Sequence, residues 1–311
     1  MAHAGDPKVH NDDATRRSLI ERAAERIDTG ESTGNRAPRV DAPRRTARTT
    51  ANNGVAGSRA GQHKAPPPSP TAAPVDIKAL AAKGYITPES MRTRLAEQMR
   101  LIKRSVLHDF WSRKASRSNM IMVTSAAPGE GKSFIAVNLA LSLACELDLH
   151  VLLVDADFER PTALHTLGIE TTLGFLDTLA DPSRDLGEVI QRTDIERLSV
   201  IGPGRNRELS SELLSSQRMR DLADELAGRY PDRLIIFDTS PLLASAEPAV
   251  MAELMGQVLL VVEADRTERG ALEESLDLLP EHCDPALVLN KGRSRSGSGE
   301  LYYHDQYRQR R

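Results

Sequence analysis

From residue 119 onward, short apolar runs alternate with longer amphipathic stretches. The runs are MIMVTS, HVLLVDAD, RLSVIG, RLIIFDTS, QVLLVVEA and ALVLN, all rich in Val, Ile and Leu and without polar alternation. Strands of that kind are buried on both faces, which calls for a parallel sheet covered by helices. Between them, KSFIAVNLALSLACEL, SSELLSSQRMRDLADELAGRY and ERGALEESLDLL space their apolar residues as helices do. The pattern predicts an α/β fold, a doubly wound and mostly parallel sheet with helices on both faces.

Upstream the pattern fades. Residues 1–75 are crowded with Ala, Arg, Pro, Thr and Asp, as in NRAPRVDAPRRTARTT and HKAPPPSPTAAP, and lack the apolar periodicity that offsets chain entropy. They are expected to form a disordered arm. One stretch departs from this: in TRRSLIERAAERI, Leu19, Ile20, Ala23, Ala24 and Ile27 recur at helical spacing. It predicts a helix over 15–27 that is either a docking element for a partner or a nascent helix without a role. Residues 76–118 read as a helical lead-in, with Thr87, Pro88 and Glu89 as a cap and first-turn proline. The α/β domain then spans 119–291, and 292–311 form a flexible tail. That tail holds Tyr302, Tyr303 and Tyr307, three of the chain's five tyrosines, behind a spacer, GRSRSGSGE, too polar to build a core.

Composition changes the picture little. Among 311 residues, 41 basic and 44 acidic side chains leave a formal net charge of -3, so no global signal for nucleic acid or membrane exists and no nucleic-acid partner is expected. Cys145 and Cys283 lack CxxC or metal-ligand spacing and read as reduced core residues of a cytosolic protein. No signal peptide opens the chain, and Asn138, Glu146, Asp148 and His150 interrupt its longest apolar stretch. A cytoplasmic location is expected.

The chemistry sits behind the first strand. In SAAPGEGKSF, Ala126, Gly131, Lys132 and Ser133 satisfy the spacing of a phosphate loop, with Ala in place of the usual first Gly. Such a loop wraps backbone N–H groups around a polyphosphate, and a helix starting at Lys132 adds its positive end. A nucleotide with Mg²⁺ is the expected ligand. Ala127, Pro128, Gly129, Glu130, Gly131, Lys132, Ser133 and Phe134 form the binding stretch; Lys132 reaches the terminal phosphates and Ser133 the metal. Two further strands end in acids: Asp155 and Asp157 in one, Asp238 in the other. In a parallel sheet these ends converge on the loop's edge, although an Asp at a strand end can also serve only as a helix cap.

Taken together, SAAPGEGKSF, VLLVDADFERP, LIIFDTSP and a closing tyrosine cluster resemble the bacterial tyrosine kinases, P-loop proteins carrying Walker A, A′ and B motifs and unrelated to the eukaryotic kinase fold. The likeness runs from about residue 76 to the end. It is greatest to the stand-alone cytoplasmic form associated with exosortase-linked exopolysaccharide loci. The resemblance implies ATP-dependent autophosphorylation of Tyr302, Tyr303 and Tyr307, usually between subunits of a homo-oligomer. It also implies control of polysaccharide chain length through a membrane-embedded partner, a peripheral place at the inner membrane through that partner, and a tyrosine phosphatase that resets the tail.

By resemblance, Lys132 and Ser133 match Walker A, Asp155 and Asp157 match Walker A′, and Asp238 matches Walker B. Ser133, Asp155 and Asp238 are then the metal's candidates, with Asp155 or Asp157 as the base. Arg160 matches the family's basic residue after those acids, and Asn290 stands where the family contacts adenine, or else ends a strand as a turn residue. The family's oligomerisation helix reads Glu-x-x-Arg-x-x-Arg. Glu97, Arg100 and Lys103 fit it with lysine for the last arginine, or form a solvated charged face.

The rival class is a partition or positioning ATPase that releases phosphate to water. Those proteins carry an extra lysine where this chain has Ala127, and they have no use for a tyrosine tail. From Lys291 to Tyr302 the chain reaches up to about 36 Å, enough for its own site or a neighbour's. Six basic and two acidic residues from Lys291 onward sum to +4. Three phosphates add about -4.5 to -6 and reverse that sign.

Overall fold

The computed structural model describes residues 72–90, 92–112, 117–229 and 232–292. The expected arm, its helix over 15–27 and the tyrosine tail lie outside these residues. Seven strands form one sheet: β1 (Met120–Ser125), β2 (His150–Ala156), β3 (Gln191–Arg192), β4 (Leu198–Ile201), β5 (Arg233–Thr239), β6 (Gln257–Glu263) and β7 (Ala286–Asn290). Their order across the sheet is β3-β4-β2-β5-β1-β6-β7. Every pairing is parallel except β3 with β4.

Nine helices are described: α1 (Ile77–Ala82), α2 (Arg94–Ser112), α3 (Lys132–Leu143), α4 (Ala163–Leu167), α5 (Phe175–Ala180), α6 (Ser210–Leu214), α7 (Gln217–Arg229), α8 (Glu247–Ala252) and α9 (Arg269–Asp277). The pleat explains why the strands read as unbroken apolar runs. In β1, Ile121 and Val123 point into a core shared with α1 to α4, while Met120 and Met122 point into a second core under α5 to α8. Both faces are covered, so neither set can be polar. Edge-to-face packing of Phe175 on Phe237, with centroids 5.8 Å apart, marks the second core.

Three details depart from the sequence reading. The lead-in helix does not start at Thr87: the Ser90 N–H and hydroxyl both bond the Thr87 carbonyl, closing a single 3₁₀ turn. Helix α2 begins at Arg94, where Thr93 Oγ1 accepts from Ala96 N–H at 3.3 Å. The folded part also starts before residue 76, because Ala73 exchanges backbone bonds with Arg192 and Asp194 beside β3, and Ala73 and Val75 are buried. Cys145 is not a core residue, whereas Cys283 packs against the second core. Cys145, just past α3, is exposed and donates to the Leu141 carbonyl, and Cys283 is half-buried.

Leu153 stands fully buried in β2, between β4 and β5. Leu153→Ala should lower unfolding free energy by roughly 2–5 kcal/mol, through lost transfer energy and the cavity it leaves. Urea titration followed by far-UV circular dichroism measures it; a cost under about 1 kcal/mol would contradict the close packing of this strand.

Candidate nucleotide site

The loop between β1 and α3 is shaped by its glycines. Gly129 and Gly131 adopt φ of 88° and 100°, and a Cβ on Gly131 would also collide with Asn290 Nδ2. The positive φ disfavours any side chain at 131, and one there would displace the Asn290 amide. Glu130 turns inward, 4% exposed, and its Oε2 accepts from Ala127 N–H at 3.0 Å. Asn290, at the end of β7, donates to the Glu130 carbonyl at 2.8 Å. Helix α3 then starts at Lys132 with its first-turn N–H groups directed to the same edge of the sheet.

Three acids meet this loop. Parallel register sets Asp155 directly opposite Asp238 on neighbouring strands, and Asp157 follows where β2 ends. Lys132 Nζ donates to Asp157 Oδ2 at 2.6 Å and lies 3.4 Å from Ser133 Oγ. The second Asp157 oxygen accepts from Arg160 N–H at 3.0 Å. Asp155 Oδ2 accepts from Leu164 N–H at 3.2 Å, which is the helix-cap use the sequence left open, here for α4. Its other oxygen and both oxygens of Asp238 are buried without a hydrogen-bond donor.

Burial pushes the Asp155 carboxyl up to about 7, and the neighbouring Asp238 charge adds to the rise. Burial likewise raises Asp238, to about 6, against the pull of the Lys132 charge and of the Ser133 hydroxyl, which acts from beyond hydrogen-bond length. One ammonium among three acids leaves this edge with negative charge to spare.

Other candidate residues are placed less directly. The Phe134 ring packs on Tyr85 at 4.9 Å, so what it can offer a ligand is its backbone N–H. The Arg160 side chain is exposed, beside Thr162, whose hydroxyl donates to Ser133 Oγ at 3.0 Å. On α2, Glu97 and Arg100 are exposed and 3.8 Å apart, but Lys103 turns onto its own domain and pairs with Glu146 at 2.6 Å. Residues three apart drift about 60° around a helix at each step, so the third member of the triplet leaves the face of the first. Sequence reasoning missed Thr267, whose hydroxyl donates to Glu130 Oε1 from the loop after β6. No local pattern announces a contact 137 residues away.

No family model matches the chain. Tyrosine-protein kinase YwqD of Bacillus subtilis (strain 168) is 33% identical over 186 residues, which is 59% of this chain and 76% of that protein. The chain belongs to the bacterial tyrosine kinases. Another relative, the putative tyrosine-protein kinase EpsB of Ralstonia solanacearum, is 35% identical over 162 residues, 52% of this chain. The chain spans only 21% of that longer kinase. The kinase domain of Escherichia coli tyrosine kinase ETK superposes with a TM-score of 0.53 at 26% identity, over 73% of this chain and 93% of that one. The doubly wound sheet described above is thus the fold of a bacterial tyrosine-kinase domain.

The raised carboxyls of this kinase fold make its stability depend on pH. A carboxyl whose folded pKa exceeds its unfolded value stabilises the fold below the unfolded pKa, and that contribution is lost as pH rises through the folded one. The window here runs from about 4 to about 7 for Asp155. Without nucleotide or metal, Asp155→Asn should be more stable than the parent at pH 8 by roughly 1–3 kcal/mol and equal to it near pH 4.5. Urea titrations of both proteins across that range give the difference; one that is flat with pH would show Asp155 to be ordinary.

Proposed function

We propose that this chain is an ATP-dependent protein-tyrosine autokinase that phosphorylates Tyr302, Tyr303 and Tyr307, from one copy to the next. The observation that carries the reading is the charge imbalance at the sheet edge: two buried carboxyl groups with three oxygens that no donor reaches, beside a glycine-shaped loop whose lysine is already paired. These residues fit a magnesium nucleotide. Among the described residues no three His, Cys, Asp or Glu side chains form a metal cage of their own. Mg²⁺ does not ask for one, since it binds through one or two carboxylates, waters and substrate phosphates.

In this reading Ser133, Asp155 and Asp238 would hold the metal, which when bound would supply positive charge beside the transferred phosphoryl group. The loop N–H groups and the α3 N-terminus cradle the phosphates. Lys132 exchanges its ion pair with Asp157 for the terminal phosphates, and that exchange leaves Asp157 able to accept a proton. The tyrosine Oη then bonds the γ-phosphorus as the bond to the ADP oxygen breaks; its proton passes to Asp157 and ADP leaves. Asn290 keeps its amide N–H on Glu130 and has its carbonyl oxygen for adenine. This reading assigns Arg160 to phosphate or subunit contacts, and Glu97 with Arg100 to the contact between copies.

The tail's chemistry agrees with this assignment. Tyrosines on a polar terminus have no core to fill, whereas an acceptor hydroxyl needs reach and accessibility. Its expected setting is exopolysaccharide assembly, with a membrane-embedded chain-length protein as activator and a phosphatase that resets the tail. No helix among the described residues is long and apolar enough to cross a membrane.

Incubation with γ-labelled ATP and Mg²⁺, followed by phosphosite mapping, tests the reading. Label should appear on Tyr302, Tyr303 and Tyr307. Lys132→Met should lower incorporation at least about 100-fold, since it removes the principal charge on the phosphates. Label found only as free phosphate, with a membrane activator supplied, would assign the chain to the partition-type ATPases instead.

A further inference from the structure

The outer wall of the phosphate loop is held by side chains from the far side of the sheet. Lys291, first residue after β7, donates to the Gly129 carbonyl at 2.7 Å and to Glu263 Oε2 at 3.0 Å. Asn290 takes the next carbonyl, that of Glu130. The Thr267 hydroxyl accepts from Glu263 N–H at 2.9 Å, which directs its own proton at the buried Glu130 carboxylate. Glu130 closes the loop onto Ala127 N–H. Four side chains thus link the loop to the ends of β6 and β7.

Peptide geometry gives this clasp a consequence. A trans peptide sets its C=O and the following N–H on opposite sides. When Lys291 and Asn290 draw the carbonyls of residues 129 and 130 outward, the N–H groups of Glu130 and Gly131 face the inside of the loop. Those are donors that a phosphate needs. Glycines at 129 and 131 leave the free loop many other conformations, so without the clasp these donors would have to be ordered by the ligand itself.

We propose that Thr267 and Lys291 are positioning residues that hold the loop N–H groups inward, so that the root of the tyrosine tail is itself part of the nucleotide site. This rests on the nucleotide reading above. Thr267 acts through Glu130, whose buried oxygen loses its hydroxyl donor when the side chain is replaced by Val. Lys291 acts on the Gly129 carbonyl directly, from a residue at φ 57° where the chain turns off the sheet toward the tail. A nucleotide in the loop and Lys291, the last residue before the tail, therefore share one hydrogen-bonded unit.

The test is titration of the full-length protein and its variants with a fluorescent ADP analogue and Mg²⁺, beside thermal unfolding of each. Thr267→Val and Lys291→Met should each weaken binding about tenfold, the loss of one oriented hydrogen bond to a charged group. Thr267→Ser, which keeps the hydroxyl, should bind as the parent does. At saturating ATP the tyrosine-transfer rate should stay within about twofold of the parent, so the loss falls on KM and not on kcat. Because Lys291 is exposed, its variant keeps the fold even if Thr267→Val does not. Parent-like binding by both variants overturns the clasp alone, as does failure of Thr267→Ser to restore affinity when Thr267→Val has lost it. A parent protein that binds no ADP overturns the nucleotide reading and the clasp with it.

Discussion

One ammonium stands among three carboxylates at the carboxyl edge of the sheet, and the rest of the site follows from that shortage. Lys132 commits to Asp157, leaving Asp155 and Asp238 opposite each other in register with three buried oxygens that no donor reaches. A buried carboxylate without a partner is destabilising, and the carboxyls respond by holding their protons to higher pH. A fold selected for stability alone would fill such positions with apolar side chains. In the proposed reading the arrangement would become favourable on binding a divalent cation and a polyphosphate together, because the cation would relieve the acids and the phosphates would draw the lysine away.

The sheet has to hold this unfavourable pair in place, and its topology does so. β2, β5 and β1, which carry the acids and launch the loop, are adjacent near the middle of seven strands, with both faces buried under helices. Separating Asp155 from Asp238 would mean breaking the β2–β5 ladder, paired from His150 with Arg233 to Ala156 with Thr239. Charge repulsion between the two carboxylates is therefore borne by the backbone hydrogen bonds and core packing of the most enclosed part of the domain. The outer strands do different work: β3 and β4 extend the platform, while β6 and β7 supply the residues that clasp the loop.

How much of this the sequence disclosed depended on the range of each interaction. Six of seven strands are legible as unbroken apolar runs; burial on both faces explains the inner ones, whereas β7, at the sheet edge, keeps its run although Leu287 and Leu289 are exposed. β3 is not, since two residues pairing antiparallel at an edge carry no period. Lys132, Ser133 and the acids are legible because strand-end positions and loop spacing are local properties. The start of α2 was misplaced because Thr87, Pro88 and Glu89 carry the chemistry of a cap and the structure uses it for one 3₁₀ turn. Lys103 could not be assigned from spacing alone: its partner Glu146 lies 43 residues on and reaches it only after α2 and α3 have packed. The same holds for Thr267, Glu263 and Lys291, whose ties to the loop arise from strand order and from no neighbour in the chain.

Lys103 also bears on the proposed contact between copies of the kinase. Its ammonium sits over the end of α3, 2.6 Å from Glu146 and 3.5 Å from the Ser142 carbonyl, where a cation is favoured by the helix dipole. The exposed charges of α2 include Arg94, Arg104 and the Glu97–Arg100 pair, which stands 3.8 Å apart and open to water. Pairs of that kind contribute about 0–1 kcal/mol, far short of the cost of immobilising two proteins. The same helix exposes Leu101 and Trp111, each at 66%. Burying side chains of that size contributes about 1.5–3 kcal/mol apiece, so an assembly along α2 would draw its affinity from the leucine and the tryptophan and its alignment from the charges. Because α3 runs from the phosphate loop at Lys132 to the α2 contact near Ser142, nucleotide and neighbouring copy would bear on opposite ends of one helix.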